Sequence, residues 1–327
     1  MFYRCKSCGG NVVYDPKRKK MVCSSCGNEE TGELIPQEKE YICNNCGAQL
    51  EPTKIELSGK CPYCGTYLIF EDRLEGPNKP DYLLPFKISK MDAMEQLRDQ
   101  FHGRLFLPSD FLSTSSLEHM EGIYVPYTLF DLKSHVNFQG QGETVNTWSD
   151  GEYEYTETKI FELIREFDVE YDKVPEDASK DMPDQMMDYM EPYQYQDLSD
   201  FQPNYFSGFL SNIHDEDRDA LISRVKAKTD RFTDGYLADY NAGYASVQPR
   251  VNERDNQIQK EAYAFLPVYR YIYRYQGKNY DFFVNGQTGK IAGAAPISKA
   301  KLLGYTIGLF AGISFFLNML FYLLEVL

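Results

Sequence analysis

Eight cysteines, Cys5, Cys8, Cys23, Cys26, Cys43, Cys46, Cys61 and Cys64, lie near the start of a 327-residue chain, and no cysteine follows them. They form four Cys-x2-Cys pairs, and the first two pairs superpose on the last two with an offset of 38 residues. Each half therefore reads Cys-x2-Cys, 14 residues, Cys-x2-Cys. Two such knuckles facing each other offer four thiolates to a tetrahedral ion at about 2.3 Å, so Zn²⁺ is the expected guest, two ions per chain. Iron in a rubredoxin-like site uses the same ligands. A site with four thiolates is closed and leaves no position for a reacting water. If the middle pairs, Cys23/Cys26 and Cys43/Cys46, shared a metal, Cys5/Cys8 would have to reach Cys61/Cys64 across the whole segment. The equal spacing of the two halves favours tandem units instead.

Gly9, Gly27, Gly47 and Gly65 each follow the second cysteine of a pair. A knuckle turns its backbone N–H groups toward sulfur, and a residue without Cβ makes that turn at least cost. Between the knuckles, "NVVYDPKRKKMV" (Asn11 to Val22) and "QLEPTKIELSGK" (Gln49 to Lys60) read as strand, turn, strand, which makes the units zinc ribbons. About 25 residues hold too little core to fold without metal.

The ribbons are expected over residues 1–34 and 35–72, with a Pro- and Gly-containing linker over 73–88 and a cytoplasmic body over 89–298. In the body, "SKMDAMEQLRDQFHGR" has a Ser cap and apolar Met91, Met94, Leu97 and Phe101, which predicts a short amphipathic helix. The aromatic, alternating "EGIYVPYTLFDLKSHVNFQG" and "EYEYTETKIFELIREFDVEYDKVP" predict strands joined by a turn at Ser149 to Gly151, with Pro126 at an edge or a bulge. Asp177 to Tyr193 reads as a helix of about three turns and Asp215 to Tyr244 as a longer one. Turn signals at Gln276-Gly277 and Asn285 to Gly289 cut Leu266 to Pro296 into three antiparallel strands. The fold class is α+β: two tandem ribbons, an antiparallel-sheet-rich body with helices on one face, and a C-terminal transmembrane helix.

That last element is "LLGYTIGLFAGISFFLNMLFYLL" (Leu302 to Leu324), 23 residues without a formal charge. As a helix it would be about 35 Å long, against a bilayer core of about 30 Å. It predicts an anchor over 299–327, single-pass in the cell membrane. Lys290, Lys299 and Lys301 precede it and only Glu325 follows, which keeps the body on the cytoplasmic side. Gly304, Gly308 and Gly312 fall on one helix face, with Ser314 and Asn318 at depth, a surface on which another membrane helix could approach closely.

Hydrophobic residues make up 43% and aromatics 15% of the chain, which suits sheet surfaces. The net charge is −15, yet residues 1–70 hold nine Lys and Arg against eight Asp and Glu. An acidic body repels phosphate, so nucleic-acid contact could come only from the ribbons, through Lys17 to Lys20 at the first hairpin's tip. The second ribbon has no such cluster. Nucleic acid is therefore the disfavoured partner, although a membrane-tethered nucleic-acid binder stands as the alternative function. The start of the chain lacks a signal-peptide pattern, so the cysteines are expected to remain in a reducing cytosol. His102, His119, His135 and His214 have no metal-ligand spacing and no phosphate-binding loop is present, so no enzymatic activity is expected.

The order of two ribbons, "YVPYTLFD" (Tyr124 to Asp131), "VPEDASKDMPDQMMDYMEPYQYQDL" (Val174 to Leu198), "NYFSGF" (Asn204 to Phe209), "FFVNGQTGKIAGAAP" (Phe282 to Pro296) and a terminal apolar helix resembles a bacterial double-zinc-ribbon membrane-protein family found mainly in Firmicutes. Members are often labelled initiation-factor-type zinc ribbon or primosomal-helicase-like, names that reflect the ribbons alone. One branch is encoded beside phage-shock-protein-A and flotillin-like proteins and acts with a second membrane protein to recruit them. The resemblance implies a membrane adaptor with cytoplasmic protein partners in envelope stress. It implies no contact residues beyond the cysteine ligands and the anchoring helix.

Overall fold

The computed structural model describes every residue except 37–41, 75, 77, 78 and 327, so the start of the second ribbon and part of the expected linker lie outside the described residues. In chain order the strands of the ribbons are β1 (Phe2–Arg4), β2 (Val12–Asp15), β3 (Lys20–Cys23), β4 (Glu33–Ile35), β5 (Glu56–Lys60) and β6 (Tyr67–Ile69). The body follows with β7 (Tyr82–Leu83), α1 (Lys90–Phe101), α2 (Thr114–Leu117), β8 (Glu121–Ser149), β9 (Glu154–Asp177) and α3 (Asp184–Met190). It continues through β10 (Ser199–Asp200), β11 (Leu210–Asn212), α4 (Arg218–Tyr240), β12 (Ser246–Tyr275), β13 (Lys278–Asn285), β14 (Ile291–Gly293) and α5 (Lys299–Val326). The fold is α+β, sheet-rich, as the alternating aromatic strands require.

One ten-stranded sheet organises the molecule, in the order β10-β7-β12-β8-β11-β5-β6, with β9 beside β8 and β13-β14 beside β12. Two pairs, β11 with β8 and β12 with β7, are parallel, so the sheet is mixed rather than wholly antiparallel. Three strands are very long. β8 and β12 pair from Glu121↔Arg270 to Glu143↔Ser246, and β9 runs back along β8 from Ser149↔Glu154 to Tyr127↔Asp177. Pro126 sits at neither an edge nor a bulge. Its carbonyl accepts from Ala178 N (2.9 Å), so its backbone faces the side where β8 exchanges β11 for β9, and the missing N–H is not needed there.

The helices cover both faces of the sheet, not one. Neighbouring residues Tyr124 and Val125, Phe265 and Leu266, and Phe282 and Phe283 point to opposite faces, and all are buried. Tyr124, Phe265 and Phe282 join Leu97 and Phe101 of α1 and Phe111, while Val125, Leu266 and Phe283 join Met187 and Met190 of α3. α1 starts with the expected Ser89 cap, in a box with Asp92, but buries Ala93, Leu97 and Phe101 and leaves Met91 exposed. The expected linker also contributes to the core: β7 joins the sheet, and Leu83, Leu84 and Phe86 are fully buried.

α3 is shorter than the three turns expected, because Asp177 and Ala178 still belong to the sheet edge and Pro183 sets the helix start. An ion cluster clamps this segment to α4. Lys228 Nζ lies 3.1 Å from Glu176, 2.7 Å from Asp188 and 2.9 Å from Glu191, and also donates to Pro175 O at 2.7 Å. Beside it Arg224 reaches Asp184 at 2.6 Å and Asp177 at 3.8 Å. Burial outweighs Arg224 at Asp177 and pushes its carboxyl up to about 7.

α5 is rooted at the end of the sheet where β12 finishes. Ser298 N donates to Phe106 O (2.7 Å), Lys301 Nζ to Leu107 O (2.7 Å), and the Phe106 and Tyr305 rings meet edge to face.

Candidate metal centres and membrane segment

Four knuckles repeat one backbone pattern. Gly9, Gly27, Gly47 and Gly65 have φ of 76°, 73°, 74° and 74°, in the left-handed region that glycine enters without strain. Each donates its N–H to the carbonyl of the first cysteine of its pair, and that cysteine's N–H returns to a carbonyl one residue further on. The first cysteine of every pair is buried and the second is exposed.

The sulfurs gather into the tandem sets read from the spacing, Cys5, Cys8, Cys23, Cys26 and Cys43, Cys46, Cys61, Cys64, with all ligand atoms of a set within 4.8 Å of one another. Cross-pair Sγ distances are 3.7 and 3.5 Å in the first set and 3.7 and 3.8 Å in the second. A disulfide needs about 2.05 Å, whereas a tetrahedron of sulfurs about 2.3 Å from its centre has edges of about 3.8 Å. The residues therefore fit a closed tetrathiolate metal site in each ribbon, and the metal such sites hold supplies folding energy rather than a reactive position.

Within each set the thiols differ. At Cys23 burial would raise the pKa, but backbone N–H groups of Cys26 and Ser25 bring it down to about 6. At Cys64 burial is likewise overcome, chiefly by Thr66, again to about 6. Cys5 is pushed up to about 12, first by a hydrogen bond with Glu30, and Cys43 to about 12 by burial. Binding metal must displace protons, so retention strengthens as pH rises.

Around the sulfurs, Asn28 Nδ2 donates to Ser7 Oγ (3.1 Å) in ribbon 1, and Asn45 Nδ2 to Thr66 Oγ1 (2.8 Å) in ribbon 2. Residues 7 and 28 become 45 and 66 on adding the repeat offset, so the same two positions are bonded with the amide moved to the opposite knuckle. Spacing of cysteines alone does not show this pair; aligning the two halves residue by residue does.

The ribbons interlock with each other and with the body. Phe2, from the first ribbon's opening strand, packs with Cys43, Leu50, Cys61 and Leu68 in the core of the second. Tyr67 N donates to Asn11 Oδ1 (3.0 Å). The basic hairpin tip of ribbon 1 is largely paired: Lys17 with Asp92 of α1 at 2.7 Å, Arg18 with Glu29 at 3.4 Å and Lys20 with Glu29 at 2.9 Å. His135 bonds Asp168 (2.8 Å) and His214 bonds Thr128 (3.2 Å), away from both thiol sets.

The span Lys299–Leu324 is a helix long and apolar enough to cross a membrane, and its most apolar stretch is 0% buried. Gly304, Gly308 and Gly312 have open space where a Cβ would stand. Asn318 Nδ2 donates to Ser314 O one turn back, at 2.8 Å.

No protein-family profile matches the chain, and no solved structure matches it. A Bacillus subtilis (strain 168) protein described as "Uncharacterized protein YdjG" is 33% identical over 321 residues, covering 95% of this chain and 94% of that protein. The chain belongs to the same family as this Bacillus protein.

Proposed function

We propose that the chain is a non-enzymatic adaptor, held by α5 in the cell membrane, whose zinc-stapled ribbons and sheet body form a protein-interaction surface on the cytoplasmic side. The observation that carries this is the pairing of two closed tetrathiol sites with one wholly exposed apolar helix. Closed sites build surface rather than chemistry. A bare apolar helix of 26 residues calls for lipid or another helix as its solvent. Lys290, Lys299 and Lys301 ahead of the span favour a cytoplasmic body. The glycine face of α5 suits a second membrane helix, and the resemblance to the branch encoded beside phage-shock-protein-A and flotillin-like proteins supports recruitment in envelope stress. Carboxylates pair with most of the Lys17 to Lys20 cluster, which weakens the nucleic-acid alternative.

Membrane fractionation of the full chain and of a variant ending at Ala300, with cysteine-labelling reagents applied outside intact cells, tests this reading. The full chain should sediment with membranes with its ribbons shielded from reagent, and the shortened chain should be soluble. Unchanged fractionation, or labelled ribbons, would overturn it.

A further inference from the structure

The three long strands form an arm that leaves the body at the end opposite the root of α5, and the arm has two free edges among the described residues. On one side β12 has no neighbour over residues 246–262; on the other β9 pairs with β8 alone. Unpaired strand edges invite another chain, and proteins blunt them with proline, bulges and covering charge. The β12 edge carries these devices. Pro249 lies in it, its register with β8 shifts at Pro249/Val251 and again at Ile258/Lys260, and α4 is tied down on that side by Asp230 and Asp234 to Arg254 and by Asp230 to Asn256.

The β9 edge has a proline and a register shift only near its end, at Pro175 and opposite Phe130/Leu132. From Glu154 to Tyr171 it holds neither proline nor glycine and pairs residue for residue with Ser149 to Leu132 without a shift. The side of α4 that overhangs β9 presents Phe232, Tyr236 and Tyr240, exposed by 45%, 48% and 62%, in ring contact with the strand through Phe167–Tyr240 and Tyr171–Phe232. The opposite face of β9 bears an acidic row, Glu162, Glu166, Asp168 and Glu170, all exposed. Asp168 is engaged by Lys133 and His135, Glu166 by His135 at 3.6 Å and Glu162 by Arg250, so among the described residues Glu170 is the member of the row with no cation within 4.0 Å.

We propose that the free edge of β9 is a docking site for a strand from another protein in which apolar residues alternate with lysine or arginine. Added to β9, such a strand would satisfy the open backbone groups, lay its apolar side against the aromatic overhang of α4, and set its basic side beside the acidic row. A second copy of this chain is disfavoured, because β9 against β9 would place acidic row beside acidic row. The site gives the adaptor reading a surface and rests on it for the partner being a protein. Its test reads β9 alone, so its failure and a failure of membrane anchoring are told apart.

The probe is an 11-residue peptide alternating Lys and Val, titrated into the full chain in detergent micelles and followed by fluorescence anisotropy and by amide exchange. Binding should slow exchange within residues 154–171 and leave residues 246–262 unchanged. N-methylating the peptide at its Val residues or at its Lys residues should weaken binding at least tenfold in one of the two phases. The double variant Glu166→Lys with Glu170→Lys, at exposed positions, should also weaken it at least tenfold while admitting a peptide alternating Glu and Val. Equal binding by both N-methylated peptides, indifference to the charge reversal, or protection confined to residues outside β9 would overturn the proposal.

Discussion

The two ribbons share cysteine spacing, knuckle geometry and a conserved pair of bonded positions, yet they are built into the molecule differently. Ribbon 1 keeps β2 and β3 as a separate two-stranded sheet and meets the body through buried Val12, Tyr14 and Met21, which join the body's main core, and through Tyr14 N to Ser207 O (2.9 Å), Ser207 Oγ to Val12 O (2.6 Å) and Lys17 to Asp92. Ribbon 2 lends its hairpin to the main sheet, because β11 pairs antiparallel with β5 and parallel with β8. One metal-held unit leans on the sheet while the other forms its rim. The difference teaches that a metal knuckle specifies a local fold and leaves its hairpin free to be an independent sheet or part of a larger one.

Removing one thiol from each ribbon should have the largest effect and should separate them. Wild-type protein should carry two zinc ions by elemental analysis, and Cys5→Ser and Cys43→Ser should each lose about one, forfeiting on the order of 10 kcal/mol of local folding energy. Amide exchange should then spread from ribbon 2 into residues 210–212 in Cys43→Ser but remain within ribbon 1 and residues 205–208 in Cys5→Ser. Identical spreading would break the contrast. Next, Phe2→Ala should cost about 3–5 kcal/mol and, although the residue belongs to ribbon 1 by sequence, should loosen zinc from the Cys43 set more than from the Cys5 set, as read by chelator release.

A control in the body gives the comparison a reference that no metal touches. The folded-state pKa of Asp177, about 7, lies above its ordinary 3.8. Its contribution to stability is complete below 3.8 and is lost as pH rises through about 7. Between pH 5.5 and pH 8 wild type should therefore lose about 2 kcal/mol relative to Asp177→Asn in denaturant titrations, with zinc content unchanged in both. The smallest effect is expected from Lys17→Ala, no more than about 1 kcal/mol, since its partner contact with Asp92 is half exposed. A larger loss would mean that ribbon 1 is held as firmly as ribbon 2.

Of the arm's three strands, β8 and β9 with their turn are legible in the sequence, and the first half of β12 is not. The first half of β12, "SVQPRVNERDNQIQKEAY", sets polar residues opposite apolar ones of β8, Asn252 against Phe138 and Arg254 against Val136, so its alternation lacks apolar contrast. The stretch 73–88 reads as a linker because its Pro and Gly content outweighs "YLLPF", whose Leu83, Leu84 and Phe86 prove to be core. The pairing of Asn45 with Thr66 beside the second thiol set needed the internal repeat to be aligned beyond its cysteines.

What the sequence determined alone is what rests on local chemistry: thiols two residues apart followed by glycine, a Ser cap with Asp at its third position, and 23 residues without a formal charge. These depend on neighbours within a few positions, or on a solvent the segment demands. The tertiary structure decided what depends on distant partners. It placed Phe2 in the other ribbon's core, helices on both faces of the sheet, and the β9 edge open while the β12 edge is blunted. Such outcomes follow from which surfaces can be buried together, and no local pattern carries that information.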